Sequence, residues 1–198
     1  EGEVNEVQFL LGGISLMVAD NLGRTTQWFR VQEDGGRPRL QQVRQFQQAD
    51  DAILKLAVEH RRKGFVAVDS QQQLSIYYTT SQRHLISVDI GDHALQALTL
   101  SPRANAVLWR DSSGVFQFWS MHNEHPELSW QALWSEVWYE SYPEPQYVWQ
   151  STSANDDFEG KFSLVPLTFG TLKAALFAMM FAVPIAVLGA IYTAYFMT

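Results

Sequence analysis

The sequence predicts a mainly β chain: about three propeller-like blades, then an amphipathic Trp-rich helix, then one transmembrane α-helix. Three observations carry that prediction. Short apolar strands run to an Asp and a polar turn at three places, Asp20, Asp69 and Asp111, with spacings of 49 and 42 residues. Trp130, Trp134 and Trp138 recur at helical spacing. From Ala174 to Thr198 the chain reads AALFAMMFAVPIAVLGAIYTAYFMT, 25 residues without a charge.

The repeat comes first in the chain. Its three copies are Leu16–Trp28, Phe65–Tyr77 and Ala106–Trp119, each a strand, an Asp, a polar turn and an aromatic eight residues after the Asp. An Asp beside Asn, Ser or Gly supplies a tight turn because its carboxylate can bond nearby backbone N–H groups. Flanking strands that alternate apolar and polar residues then make a hairpin. Ahead of the second and third copies lie further strands, Ile53–Val58 and Leu95–Leu100. Strand, turn, strand, Asp turn, strand is the build of a propeller blade, and a period between 40 and 50 residues suits one. The third copy, LTLSPRANAVLWRDSSGVFQFWSM, resembles a WD-repeat blade, although the Trp-Asp pair is missing. A plain β-sandwich is the competing architecture. Three blades are too few to close a ring, so others are expected upstream or from elsewhere. Asp20, Asp69 and Asp111 are therefore read as structural turn residues, not as catalytic or calcium ligands.

Two histidine-containing stretches are set aside. His60 with Arg61, Arg62 and Lys63 reads as a solvated basic turn. His122 and His125 are three apart, but Pro126 follows and no third ligand is evident. No metal, cofactor or catalytic residue is assigned.

The connector, 126–160, follows the blades of 1–125. Trp130, Leu133, Trp134, Val137 and Trp138 fall at i, i+3, i+4, i+7 and i+8, one face of a helix. Pro126 and Glu127 suit its first turn, and Tyr142-Pro-Glu-Pro145 ends it. The tryptophan face is expected to pack against the blades or a membrane partner. Tyr147-Val-Trp-Gln reads as a last strand before a polar link, 151–160.

The uncharged run would span roughly 37 Å as a helix, more than the ~30 Å hydrocarbon core of a bilayer. In lipid the backbone must satisfy its own hydrogen bonds, so a run this long reads as a membrane-spanning helix. Pro184 in its middle would break a helix in water but is tolerated in a bundle, and Gly189-Ala190 lets a neighbouring helix approach.

Charge separates the two halves. Twelve of the 14 Lys and Arg residues precede residue 111, and from Asp111 to Gly160 there are nine acids and no Lys or Arg. Loops kept in the cytoplasm near a span are rich in Lys and Arg, so this approach favours the outer side. The net charge of -7 also excludes a nucleic-acid footprint. Cysteine is absent, which removes disulfides and thiol catalysis.

The stretch from Asp157 through Val165-Pro166 and Gly170-Thr171, running into Ala182-Val183-Pro184, resembles the permease subunit of phosphate-type ABC importers (PstC-like). It covers about 40 residues, with Val165, Pro166, Gly170, Thr171 and Pro184 matching in order and spacing. The resemblance implies that 161–198 opens a transmembrane domain in the bacterial inner membrane. Residues before about 160 would be the tail of a periplasmic insert. It further implies a second permease subunit, an ATPase subunit and a periplasmic phosphate-binding protein as partners, besides membrane lipid. No Gly-rich phosphate loop occurs here, so ATP would bind the separate ATPase. The acids near the span would repel phosphate, so the β domain is expected to dock a protein or serve as a platform. The alternative is a membrane-tethered propeller scaffold without transport. No enzyme activity is assigned.

Overall fold

The computed structural model describes residues 2–32, 36–47, 51–154 and 158–197. Asp156, Asp157 and the final Thr198, which entered the charge and span readings, lie outside them.

Alternating strands joined by tight turns give three antiparallel sheets arranged as blades. Blade 1 is β1 (Val4–Phe9), β2 (Ser15–Asp20), β3 (Arg24–Val31) and β4 (Arg39–Gln47). Blade 2 is β5 (Ile53–Val58), β6 (Gly64–Asp69), β7 (Gln73–Tyr78) and β8 (Arg83–Asp89), and blade 3 is β9 (Leu95–Leu100), β10 (Ala106–Asp111) and β11 (Phe116–Ser120). Within each sheet the strands lie in chain order, and the first strands β1, β5 and β9 are neighbours in space. The sequence repeat is also a register repeat. Each first strand carries an irregularity where it meets the Asp, at Val4/Glu6, Ile53/Lys55 and opposite Arg110/Asp111. The residue after each Asp donates to that strand or its approach: Asn21 to Glu3, Ser70 to Ala52, Ser112 to Ala94.

Blade 2 is the middle layer. Met17, Phe46, Ile53, Phe65 and Tyr77 pack between blades 1 and 2, while Val66, Val68, Leu74, Val107 and Trp109 pack between blades 2 and 3. Strand β6, Gly-Phe-Val-Ala-Val-Asp, is buried at every residue because both of its faces are covered. Each such large apolar side chain removed from water contributes about 1.5–3 kcal/mol. The strands β1, β4 and β8 have no counterpart among the strands read from the repeat.

The connector departs from expectation. The helix α1 spans only Trp130–Trp134, with the Ser129 hydroxyl accepting from Ala132 N–H at its start. Beyond Ser135 the chain is extended, and Val137 bridges Gln146. The three tryptophans therefore share no face: Trp130 is 81% exposed, whereas Trp138 lies edge-on to Phe29 at 6.1 Å. Strand pairing by Val137 and aromatic packing by Trp138 outweigh the helical spacing. A short ribbon, β12 (Trp149–Gln150) with β13 (Lys161–Phe162), leads to the last element.

That element, α2, runs Val165–Phe196, 32 residues, beginning nine residues before the uncharged run. Pro166 sits in its first turn, where the missing N–H costs nothing. At roughly 48 Å it is long enough and apolar enough to cross a membrane, and none of its residues is buried. Pro184 is inside the helix. Thr171 and Thr193 turn their hydroxyls back onto the carbonyls of Leu167 and Gly189, at 2.8 and 2.9 Å. Their polar atoms are thereby satisfied within the helix itself.

Candidate functional site

Hairpin alternation gives the blades two different ends. The Asp turns β2–β3, β6–β7 and β10–β11 close one end. The other end holds the β1–β2, β5–β6, β7–β8 and β9–β10 turns and the exit to the connector.

At the first end the three Asp residues do the same work. The Oδ1 of Asp20 accepts from the N–H of Leu22 and Arg24, both at 3.0 Å. Asp69 does so from Gln71 and Gln73, and Asp111 from Ser113 and Val115, all between 2.9 and 3.1 Å. Arg24 also bonds Asp20 through its guanidinium at 2.6 Å. Burial opposes the Asp20 carboxylate, but Arg24 and the turn N–H groups hold it below its ordinary range. For Asp111 the Ser113 hydroxyl, together with the turn N–H groups, does the same.

The second end is a buried charged network that the basic-turn reading missed. Lys63 is not solvated. Its side chain is 1% exposed, and its Nζ donates to Glu140 Oε2 and to the Leu11 carbonyl, each at 2.6 Å. The other Glu140 oxygen accepts from Ser15 Oγ at 2.6 Å, and Ser15 in turn accepts from Gln27 Nε2 at 2.9 Å. Arg44 bonds Gln27 Oε1 at 2.8 Å and reaches the Trp138 carbonyl at 2.5 Å. Glu159 accepts from the Glu140 N–H at 3.0 Å and from Thr80 Oγ1 at 2.6 Å. Lys161 reaches Gln150 at 3.0 Å and lies over the Phe158 ring at 5.0 Å. Arg62 joins Glu59 at 3.0 Å and donates to the Asn123 carbonyl at 2.9 Å, tying blade 2 to the chain leaving blade 3.

The electrostatics follow from burial. Burial pushes the Glu140 carboxyl above its ordinary range, Glu159 adds to the push, and Lys63 and Ser15 offset part of it. Burial likewise raises Glu59 against the pull of Arg62, and depresses Arg44 and Lys161 against that of Glu159. Tyr139 is pushed up to about 12, by burial first and Glu159 second. The acid count of the sequence thus overstates surface charge, because Glu140 and Glu159 point inward and Asp111 is spent in its turn.

The network ends where α2 begins. Ser163 N–H donates to the Val148 carbonyl at 3.0 Å, and Leu164 N–H to the Leu133 carbonyl at 2.8 Å. Blade, connector and helix start are one hydrogen-bonded body. Of the permease-like positions, Val165, Pro166, Gly170, Thr171 and Pro184 all fall on α2, and a Cβ added at Gly170 would meet nothing within 4 Å. His122 and His125 are exposed, each beside a neighbouring carboxylate, Glu124 at 3.0 Å and Glu127 at 3.3 Å. Among the described residues no cluster of His, Asp and Glu is placed to hold a metal ion.

No family model and no curated protein matches the chain. A solved structure does: the β-propeller domain of Cps50 (Swd1) from Myceliophteria thermophila, with TM-score 0.52 and 11% identity. The match covers 60% of this chain and 38% of that one. It is among 669 solved chains that match, so the likeness marks an architecture that hosts many functions. The chain is a mainly β protein with propeller-like blades. It also carries one C-terminal apolar helix of a length that could span a membrane.

Proposed function

We propose that this chain is the region of a permease subunit, of the phosphate-importer type, where an extramembrane propeller is mounted on a membrane helix. The observation that carries the reading is the mount itself. Lys63–Glu140, Glu159–Thr80 and Leu164–Leu133 leave no slack between the blades and a helix that, beyond Lys173, is uncharged and apolar on every side and uncovered. A helix apolar all round needs lipid or neighbouring helices around it. The permease assignment draws on Val165-Pro166, Gly170-Thr171 and Ala182-Val183-Pro184, now on that one helix. In this reading 2–160 lies in the periplasm of a bacterial inner-membrane complex. The Asp-turn end points away from the span, toward a phosphate-binding protein, and ATP is hydrolysed on a separate subunit.

The test is purification of the full-length polypeptide from membranes in mild detergent, with phosphate uptake followed in cells lacking it. Co-recovery of an ATPase subunit and a phosphate-binding protein, with uptake lost, is expected. Recovery of neither, with uptake unchanged, sinks transport and favours the second reading, a tethered propeller scaffold, which draws on the fold alone.

A further inference from the structure

The connector exposes a set of aromatic rings at the point where α2 begins. Trp134 is 43% exposed, Tyr147 and Trp149 each 42%, and Trp130 is almost wholly open. Two backbone bonds place them there. The Leu164 N–H, just ahead of α2, donates to the carbonyl of Leu133, the neighbour of Trp134. The Ser163 N–H donates to the carbonyl of Val148, which stands between Tyr147 and Trp149. Trp149 also lies edge-on to Phe162 at 5.9 Å. Trp130 is four residues before Trp134, on the same face of α1. Three indoles and a phenol therefore gather at the head of α2.

Their exposure is held by bonds rather than left over from a loose segment. The Ser129 hydroxyl accepts from Ala132 N–H and donates to the Ser81 carbonyl at 3.0 Å, which fixes α1 to the turn between β7 and β8. Arg83 holds the Leu128 carbonyl at 3.1 Å, and Ala132 is buried beneath the helix. A braced apolar patch of this kind marks an interaction surface.

The length of α2 says what covers it. Its 32 residues rise about 48 Å, a little more than the roughly 40–45 Å of a bilayer with its headgroups. A helix that fills the whole thickness has its first residue in the headgroup layer. Whatever is bonded to residues 163 and 164 then lies at the same depth. Lys173, the one charge on α2, fits this placement. It lies about 12 Å along the axis from Val165, from where its stem reaches back to the headgroups. Headgroup depth is where Trp and Tyr are favoured, with the ring in the apolar boundary and the N–H or hydroxyl toward water.

The charges of the connector allow it. Glu140 and Glu159 turn inward onto Lys63 and Thr80, which leaves Glu136 and Glu144 at the surface. Beside Trp130 is a cleft of about 410 Å³ lined by Arg83, Leu128, Ser129, Trp130 and Leu133, an apolar floor with one guanidinium. Two surface acids against one such cation give no pull toward anionic lipid. The rings, not the charges, would carry the contact.

We infer that the connector lies on the bilayer: Trp130, Trp134 and Trp149, with Tyr147, sit in the headgroup–acyl boundary and set the depth at which α2 enters. The partner is the lipid surface itself. The inference rests on α2 crossing the membrane and adds a second, peripheral contact to that span. Because the buried network makes the connector one body with the blades, this contact also fixes how the propeller stands on the membrane.

The test uses the full-length polypeptide in its own membranes, with photoreactive benzoylphenylalanine in place of Trp130 and adducts mapped by mass spectrometry. The control places the same group at Leu22, which is 45% exposed in the Asp20 turn at the far end of the blades. Lipid adducts at Trp130 should exceed those at Leu22 at least about tenfold and persist in high salt. Adducts to another protein or a second copy in their place overturn the inference, as do lipid adducts no more frequent than at Leu22 or abolished by salt. A second probe keeps the two readings apart. Ala182→Cys, in the middle of α2, should resist a membrane-impermeant maleimide. Labelling there puts α2 in water and removes the membrane reading and this one together. A protected Ala182→Cys with protein adducts at Trp130 overturns the lipid contact alone.

Discussion

The two ends of the blades are closed by different means. At the Asp-turn end a carboxylate bonds N–H groups two and four residues further along its own chain, three times over. At the connector end the partners are 125, 77 and 79 residues apart, as in Ser15–Glu140, Lys63–Glu140 and Thr80–Glu159. Local bonds stabilise a hairpin wherever it forms. Long-range buried ones exist only when two blades and the connector are all in place, so they report the assembled body. The difference teaches that one end is modular and the other is a joint.

The largest expected effect comes from breaking that joint. Lys63→Met leaves the buried Glu140 carboxylate without its cation, a change that costs about 3–5 kcal/mol where such a pair is buried. Denaturant unfolding of the detergent-solubilised chain measures it. A loss under about 1 kcal/mol would mean the pair is solvated and the joint loose.

Acid should act on the two ends with opposite sign. The Glu140 carboxyl is raised above 4.5, so the folded joint binds protons more readily than the unfolded chain. Its contribution is full below 4.5 and is lost as pH rises through the raised value. The carboxyls of Asp20 and Asp111 are lowered below 3.8, so theirs is present above 3.8 and is lost as pH falls through the depressed values. Exchange of the Glu140 and Val115 amides between about pH 2 and 7, corrected for intrinsic rate, compares the ends; protection at Glu140 that strengthens with rising pH, or protection at Val115 that does not weaken below 3.8, contradicts the assignment.

A smaller loss is expected at a single turn. Asp69→Ala removes two carboxylate–amide bonds and should cost about 1–2 kcal/mol, comparable to a lost helix cap. Unfolding midpoints compare it with Lys63→Met, and an equal or larger loss would erase the distinction between the ends. The smallest effect belongs to Trp130→Ala. Its ring is open to solvent, so stability should change by no more than about 0.5 kcal/mol. A loss of several kcal/mol would restore the single tryptophan face that the sequence suggested.

Legibility followed the same division. The hairpins around Asp20, Asp69 and Asp111 could be read because alternation and turn chemistry are local, and β5 and β9 appear with the bounds expected of them. The fourth strands could not. Strand β4, Arg-Leu-Gln-Gln-Val-Arg-Gln-Phe-Gln, sits at a sheet edge where one apolar face is not required, and its polar residues hide the period. Nor could the joint be read. Nothing near Lys63 in sequence marks it as buried, since its partner Glu140 lies in the stretch read as a helix that packs through its tryptophans, not through its acids. The one signal available was the lack of any Lys or Arg between Asp111 and Gly160: buried acids there had to find cations from the blades.

By itself, then, the chain determined a strand repeat with its turns and an apolar rod long enough for a bilayer, because both depend on near neighbours and on composition. Only the tertiary structure decided that the tryptophans part company after Trp134, that Lys63 and Glu140 meet in the interior, and that among the described residues β11 pairs with β10 alone. Those outcomes turn on which surfaces exclude water once distant segments meet, and no window of sequence contains both partners.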